Sequence, residues 1–527
     1  MGFKDLGEFL KALRDAGELV EVKAPVDPVL EVTEIYERVV KKEGPALLFS
    51  NVRGSSVPLV INLFGSFKRM SMALGVKDLS EIAARIQSFL DLKPPRTLFE
   101  KLAMIPKLSE LNAVLPKFVK HAPCQEKVIL AGEGNLHSGE NSPNPIQFPH
   151  GGNWGNPDYP HGKKNKSQDR GQGKMLDALP LIQCWPKDGG KFITFPLVIT
   201  KDPETNKRNV GLYRMHVYDD RTTGMHWQIH KDGAEHFRKL RKGGKGRLPV
   251  ACVIGADPAT MFSAACPMPA GMDELMLAGF LRRRSVELVK CKTIDLEVPA
   301  EAEIVLEGYV EEGESRLEGP FGDHTGFYSR AKDFPVFHVT CMTHRKNPVY
   351  VTTIVGRAPM EDCYMGKAIE RIFLPMIQKQ FPEIVDICLP WEGAFHNCLI
   401  VSIKKNYPEQ GKKIIHAIWG LGQMMFSKMI VVLDHDTHIQ DLKEVAWRVL
   451  NNMDPKRDIV FGEGPLDELD HGAARDFGGS KIGIDATRKS AAEGMERPWP
   501  EDIVMTDEIQ RRVAARWQEY GLDPKYL

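Results

Sequence analysis

Lys201–Ala234 reads KDPETNKRNVGLYRMHVYDDRTTGMHWQIHKDGA. Two runs rich in apolar, β-branched and aromatic residues flank the turn residues DDRTTG, so the stretch is expected to form a β-hairpin. In the first arm Asn209 begins a strand and Arg214 lies five residues on. An odd spacing puts the two side chains on opposite faces of a regular strand. They serve one site only if Asn209 sits at the turn or the strand is kinked; otherwise they are a turn Asn and a solvated Arg. In the returning arm His226, Gln228 and His230 alternate onto one face, and Met225, Trp227 and Ile229 onto the other. Such a polar face suits a wet, ligand-lined surface and equally the solvent face of a half-exposed strand.

Working outward, FITFPLVIT, LPVACVIG, KTIDLEV and AEIVLEGYVEE carry the same strand signals between Leu179 and Tyr328. One helix, at about 273–283, is expected to interrupt them. Mostly antiparallel strands with one helical insertion predict a β-barrel-like middle domain. Ahead of it, residues 1–125 alternate helical stripes with short strands such as PALLFSNV and VPLVINLF, an α/β pattern. The chain opens on an amphipathic helix with Leu6, Phe9, Leu10 and Leu13 on its apolar stripe, not on a signal peptide. After the middle domain, PVYVTTIVG, NCLIVSIKK and KMIVVLD alternate with predicted helices at 365–380, 410–420 and 441–450. A last helix near 501–520 sets Ile509, Val513 and Trp517 on one face, for core packing or for a subunit contact.

The expected organisation is therefore α/β and multidomain: an N-terminal α/β domain at 1–125, a middle domain at 126–332, a C-terminal α/β domain at 333–480, and a tail with a terminal helix at 481–527. The polar stretch Gly132–Lys174 has no apolar period and reads as a long loop or insertion. Its His137, His150 and His161 lie too far apart for a metal motif.

The 527 residues exceed one hydrophobic core, and 70 Lys plus Arg balance 70 Asp plus Glu. The absence of a basic excess argues against a nucleic-acid binder. No apolar run is long enough to span a bilayer. The nine cysteines are scattered without a CxxC pair, which suits reduced thiols in a cytoplasmic enzyme and argues against a zinc site or disulfide framework.

Two more segments carry candidate chemistry. GADPATMFSAACPMPAGMDELMLAGFLRRR places Glu274 in the first turn of a helix, where the dipole favours a carboxylate with or without a ligand. In LEGPFGDHTGFYS, Glu318 and Asp323 flank a Gly-Pro turn. Paired carboxylates near an arginine can hold one acid ionised and its neighbour protonated; the plainer reading is a polar surface turn.

Taken together and in order, these segments resemble the UbiD family of decarboxylases, nearest the branch of the polyprenyl-hydroxybenzoate decarboxylases. DLEVPAEAEIVLEGYVEEGE, WEGAFHNCLIVSIKKNYP, HAIWGLGQMMFSKMIVVLD, WRVLNNMDPKRDIVFGEGPLDELDH and GSKIGIDATRK extend the likeness over nearly the whole chain outside the polar insertion. The resemblance implies a split β-barrel holding prenylated FMN, with a C-terminal α/β domain closing over the substrate. It makes Asn209, His230 and Glu274 ligands of a divalent metal, usually manganese, that bridges to the flavin phosphate; a potassium ion is also usual there. Leu212, Tyr213, Arg214, His226, Trp227, Gln228, Lys231 and Asp232 match cofactor-contacting positions, and Lys428 resembles a further one.

Arg214, Glu318 and Asp323 fall on the family's catalytic network. Arg214, fixed by Glu318, would orient the substrate carboxylate, while the cofactor holds the electrons left by departing carbon dioxide. Asp323 would protonate the product carbon, its pKa expected to be raised by burial and by Glu318. An Asp at this place points towards a phenolic aromatic acid, as opposed to another α,β-unsaturated acid. The resemblance also implies a homo-oligomer, dimer or hexamer, and a separate flavin prenyltransferase as cofactor supplier. The same site run backwards is an aromatic carboxylase; a flavin-free carboxylase subunit or scaffold is the alternative outside catalysis.

Overall fold

The computed structural model describes residues 2–91, 113–131, 174–242, 246–268 and 272–526. The polar insertion, except Lys174, lies outside the described residues.

The opening helix spans Leu6–Asp15, with the Asp5 carboxylate accepting from the Glu8 N–H at its start. Leu6, Phe9, Leu10 and Leu13 are buried as the stripe required. Strands Leu19–Val22, Ala46–Phe49 and Leu59–Ile61 form a sheet completed by Tyr350–Val351, parallel to Leu59–Ile61. PVYVTTIVG thus supplies a strand to the N-terminal sheet and not to the C-terminal unit. A run of apolar residues gives no information about which distant edge it joins.

Among the described residues the middle sheet has nine strands and is antiparallel at every pairing. Its longest members, Ile304–Glu318 and Lys332–His344, lie side by side. Lys332–His344 therefore belongs to this sheet, although the sequence placed it at the start of the C-terminal unit. The strand path runs from Phe192–Ile193 to Arg208–Leu212 without closing on itself. The register shifts between Glu307 and Gly308. A Cβ on Gly308 would stand 1.8 Å from the His338 carbonyl oxygen, so the close approach of the strands requires glycine there. Glu307, fully buried, accepts the Lys292 and Thr293 N–H groups at 2.8 and 2.7 Å. The strand expected from KTIDLEV is short, Glu297–Pro299.

Three described helices, not one, interrupt this sheet: Asp232–Lys242, Pro258–Ser263 and Glu274–Arg282. The second begins at GADPAT, where Asp257 caps by accepting from Thr260 N–H and Pro258 occupies the first turn.

The C-terminal unit is a five-stranded mixed sheet ordered Ile384–Cys388, Cys398–Ile403, Met429–Asp434, Gly479–Asp485, Ile459–Gly464. Its helices span Glu361–Gln380, Gln410–Trp419 and Leu442–Asn452, close to the predicted bounds. The terminal helix, Asp507–Ala515, buries none of its residues, so it does not pack into the core of a single chain. Among the described residues no helix is long and apolar enough to cross a membrane.

Candidate active site

The hairpin of the middle sheet breaks where the chemistry lies. The first arm is two strands, Arg208–Leu212 and Met215–Val217, interrupted at Tyr213 and Arg214. The break removes the parity problem posed by Asn209 and Arg214. The returning strand ends at Met225. Trp227 N–H donates to the Met225 carbonyl at 2.8 Å and Lys231 N–H to that of Gln228 at 3.0 Å. These tight turns end the ladder, so His226, Gln228 and His230 do not share a strand face as the alternation suggested.

The freed Arg214 points at two acids. Its Nε donates to Glu318 Oε1 at 2.9 Å and its Nη2 to Oε2 at 3.3 Å, a two-pronged clamp. Nη1 donates to Asp323 Oδ2, and Nη2 also to Ser329 Oγ at 3.1 Å. The guanidinium lies 4.6 Å over the Phe321 ring. Glu318 is the last residue of the strand Ile304–Glu318. The loop after it is seated by Asp188, whose Oδ1 accepts Gly322 N–H at 2.8 Å while Oδ2 accepts Cys184 and Trp185 N–H. A Cβ on Gly322 would fall 2.1 Å from the Trp185 ring, so glycine permits this seat.

Burial alone would raise both carboxyls, but the Arg214 charge overrides it. With help from His226 it holds Glu318 down at about 2. Asp323 lies well below the usual carboxylate range, held by Arg214 and by His324. The expectation that Asp323 rests with a raised pKa is therefore corrected: guanidinium contact outweighs both burial and the neighbouring carboxylate. Arg214 is desolvated, yet Asp323 and Glu318 raise its pKa above the ordinary value.

Around this network several buried polar atoms have no partner among the described residues: His226 Nε2, Trp227 Nε1 and His230 Nδ1. His226 is held through Nδ1, 3.2 Å from Glu318 Oε2. Burial lowers His230 to about 4, leaving a neutral imidazole. Burial raises Glu274 to about 7, and its Oε2 accepts the Val210 N–H at 2.9 Å, beside Asn209 in the chain. Asn209 is buried and its Nδ2 donates to Tyr213 Oη at 3.5 Å. Neutral imidazole, amide oxygen and a carboxylate awaiting positive charge are donors that fit a hard divalent cation. Among the described residues no three His, Cys, Asp or Glu side chains are grouped for a metal. The Asn209, His230 and Glu274 set has only two such side chains and would need further oxygen donors, such as a phosphate.

Leu212 donates its N–H to the Ala264 carbonyl, and Tyr213 is buried. Asp232 begins the helix Asp232–Lys242. Of the residues predicted to contact a cofactor, Lys231 reaches the C-terminal unit, Nζ to Gln423 Oε1 at 3.4 Å, while Lys428, within that unit, donates Nζ to Asp470 Oδ1 at 2.8 Å. The Phe426 ring lies 4.5 Å from that of His230. A narrow cleft, partly open to solvent, lies between the two units and is lined by His226, Ser329, Lys332, Asp467 and His471 among others. Lys332 bridges it to Glu468 and Asp476 at 2.5 and 2.7 Å. Residue-by-residue reading missed Asp188, Asp362, His324 and His396. Only the position of His324 directly after Asp323 in EGPFGDHTG signalled any of them.

Comparison with known proteins places the whole chain. Three domain profiles of 3-octaprenyl-4-hydroxybenzoate carboxy-lyase match it: the N-terminal domain at residues 10–86, the Rift-related domain at 160–358 and the C-terminal domain at 363–486. An uncharacterized protein of Archaeoglobus fulgidus is 46% identical over 98% of this chain and 99% of its own. Among solved structures, the UbiD-class enzyme HmfF from Pelotomaculum thermopropionicum in complex with FMN is 27% identical, with a TM-score of 0.74, over 97% of this chain and all of its own. An evolved dimeric form of HmfF, in complex with prFMN, matches at 26% identity and 0.73 over 98% of this chain and all of its own. Vanillic acid decarboxylase of Sedimentibacter hydroxybenzoicus, in closed form, shares the fold at TM-score 0.79 and 24% identity, over 99% of this chain and all of its own.

Proposed function

The chain belongs to the UbiD family of carboxy-lyases, and on that premise we propose that it decarboxylates, reversibly, an aromatic acid with a phenolic ring, using prenylated FMN. The observation that carries this reading is Arg214, released from its strand at the break and clamped between Glu318 and Asp323 beside the cleft. A guanidinium so fixed presents its charge to one carboxylate in one orientation.

The open nine-stranded sheet would serve as the split barrel holding the flavin. Leu212, Tyr213, His226, Trp227, Gln228, Lys231, Asp232 and Lys428 would border it, with the unpartnered His226 Nε2 and Trp227 Nε1 as donors or acceptors for it. Asn209, His230 and Glu274 would hold a divalent cation, manganese for preference, against its phosphate, with potassium nearby. When bound, the prenylated flavin supplies the electron sink for the bond to carbon dioxide.

The protein does the rest. Arg214 orients the substrate carboxylate, and Glu318, ionised and bonded to both Arg214 and His226, keeps the guanidinium from turning. The C-terminal unit, latched by Lys332, covers one side of the cleft. Asp323 delivers a proton to the carbon that has lost its carboxyl group. A homo-oligomer, cytoplasmic localisation and a flavin prenyltransferase as supplier complete the reading.

The test is to co-produce the chain with a flavin prenyltransferase and screen phenolic and other unsaturated acids for carbon dioxide release. Release from a phenolic acid, dependent on the flavin, supports the reading. Flavin-loaded protein that releases none from any acid contradicts it.

A further inference from the structure

Asp323 accepts three donors. Its Oδ1 takes the His324 backbone N–H at 2.8 Å and lies 2.9 Å from His324 Nδ1, while its Oδ2 takes Arg214 Nη1. Three of its roughly four lone-pair directions are thus taken by donors, one of them a guanidinium. At rest it is a carboxylate, and a carboxylate cannot protonate anything. The acid assigned to the reaction must be loaded from a neighbour.

The neighbour with a proton to give is His324. Its Nε2 lies 3.0 Å from His396 Nε2, and its ring stacks on Phe395 with centroids 6.0 Å apart and 11° between planes. The imidazole is thus fixed at both nitrogens between an anion and a second imidazole. His324 faces Asp323 and His396 directly, with Asp362 and Asp467 near enough to act by charge. His396 faces His324, Asn397, Asp467 and Asp470. The Asp362 Oδ1 is buried without a hydrogen-bond partner among the described residues. Asp323 bonds both Arg214 and His324 and so lies between the guanidinium and the imidazole.

Resting on the decarboxylase reading above, we propose that the proton delivered to the product carbon is stored on His324, held as an imidazolium by Asp323 and His396, and passes through Asp323. The His324 Nδ1–H bond breaks as an O–H bond forms on Asp323 Oδ1. That O–H bond then breaks as the C–H bond forms with the electron pair that carbon dioxide left behind. His324 ends neutral and Asp323 ionised, and solvent recharges the imidazole, whose side chain is 20% exposed. No oxidant or reductant is needed. His324 acts only through Asp323 and is a positioning residue; His396 accepts the Nε2–H and orients it. The directions agree: burial would lower His324, but Asp323 raises it above the ordinary value, whereas burial lowers His396 to about 4, leaving it a neutral acceptor.

The test is the pH profile of turnover by the flavin-loaded enzyme and its His324→Asn variant. Asparagine keeps a donor towards Asp323 but carries no titrating proton. In the wild type, turnover falls as pH rises through the raised value of His324, because the imidazolium is the competent form. His324→Asn loses that limb and about a hundredfold in turnover, the low end for a positioned acid. His396→Leu moves the limb to lower pH by removing the acceptor that favours the charged ring. A His324→Asn enzyme that keeps the wild-type rate and limb overturns the proposal. Should no acid be turned over at all, the decarboxylase reading fails first. The storage claim is then decided by the histidine ¹⁵N resonances: a His324 titrating at or below 6.5 overturns it, and one titrating above 6.5 upholds it.

Discussion

Replacing Arg214 by Met removes the charge that two buried acids share, and the consequence depends on pH in a definite direction. Glu318 is wholly buried and Asp323 nearly so. Breaking a buried pair by deleting one partner costs about 3–5 kcal/mol. The drop of Glu318 from 4.5 to about 2 corresponds to roughly 3 kcal/mol at neutral pH, in agreement with that range. In the wild type this contribution is complete above about pH 4.5 and is lost as pH falls through about 2. In Arg214→Met the guanidinium no longer opposes burial, so both acids rise from their wild-type values, Asp323 less because His324 still faces it. The variant therefore regains stability as pH falls through those raised values, while the wild type is unchanged there. Urea unfolding of both proteins at pH 7.5 and pH 5.5 measures the gap, expected at about 3–5 kcal/mol at the higher pH and clearly smaller at the lower. An equal gap at both values would refute the claim that Arg214 acts by compensating buried charge.

Glu274→Ala should lose bound divalent metal and flavin together, by about 10- to 100-fold in metal affinity or more, read by metal analysis and flavin absorbance of the purified protein. Asp323→Asn keeps shape without a proton to pass; turnover should fall about 10²- to 10⁴-fold while flavin content is unchanged, followed by carbon dioxide release. Gly308→Ala forces a Cβ against the His338 carbonyl and should lower the thermal midpoint by several degrees, the cost of overpacking being about 1–3 kcal/mol or more.

The candidate site was legible in residue type and order, and less so in geometry. Arg214, Glu318 and Asp323 lie together, but period-two patterning misread the arm that carries His226, Gln228 and His230. MHWQI alternates as a strand does, yet the turn closed by Trp227 N–H on the Met225 carbonyl makes that alternation coincidental. The sequence holds no signal for such a turn, because no Gly or Pro marks it. Helices with strong apolar stripes, such as Leu6–Asp15 and Gln410–Trp419, were legible because one face is buried along the whole element. Strand partners were not: Tyr350–Val351 joins a sheet formed almost 300 residues earlier, and contacts at that separation leave no local trace. His324 and His396 escaped because each is an isolated residue, brought together only by the packing of the C-terminal unit over the loop.

The central claim, that this chain breaks a carbon–carboxyl bond and returns a proton to the same carbon, is tested most directly in deuterium oxide. Flavin-loaded enzyme with a phenolic acid that it turns over is expected to release carbon dioxide and place one deuterium at the vacated ring carbon. Neither event should occur with flavin-free protein or with Arg214→Met. Carbon dioxide and labelled product from the flavin-free protein, or undiminished labelling by Arg214→Met, would contradict the account.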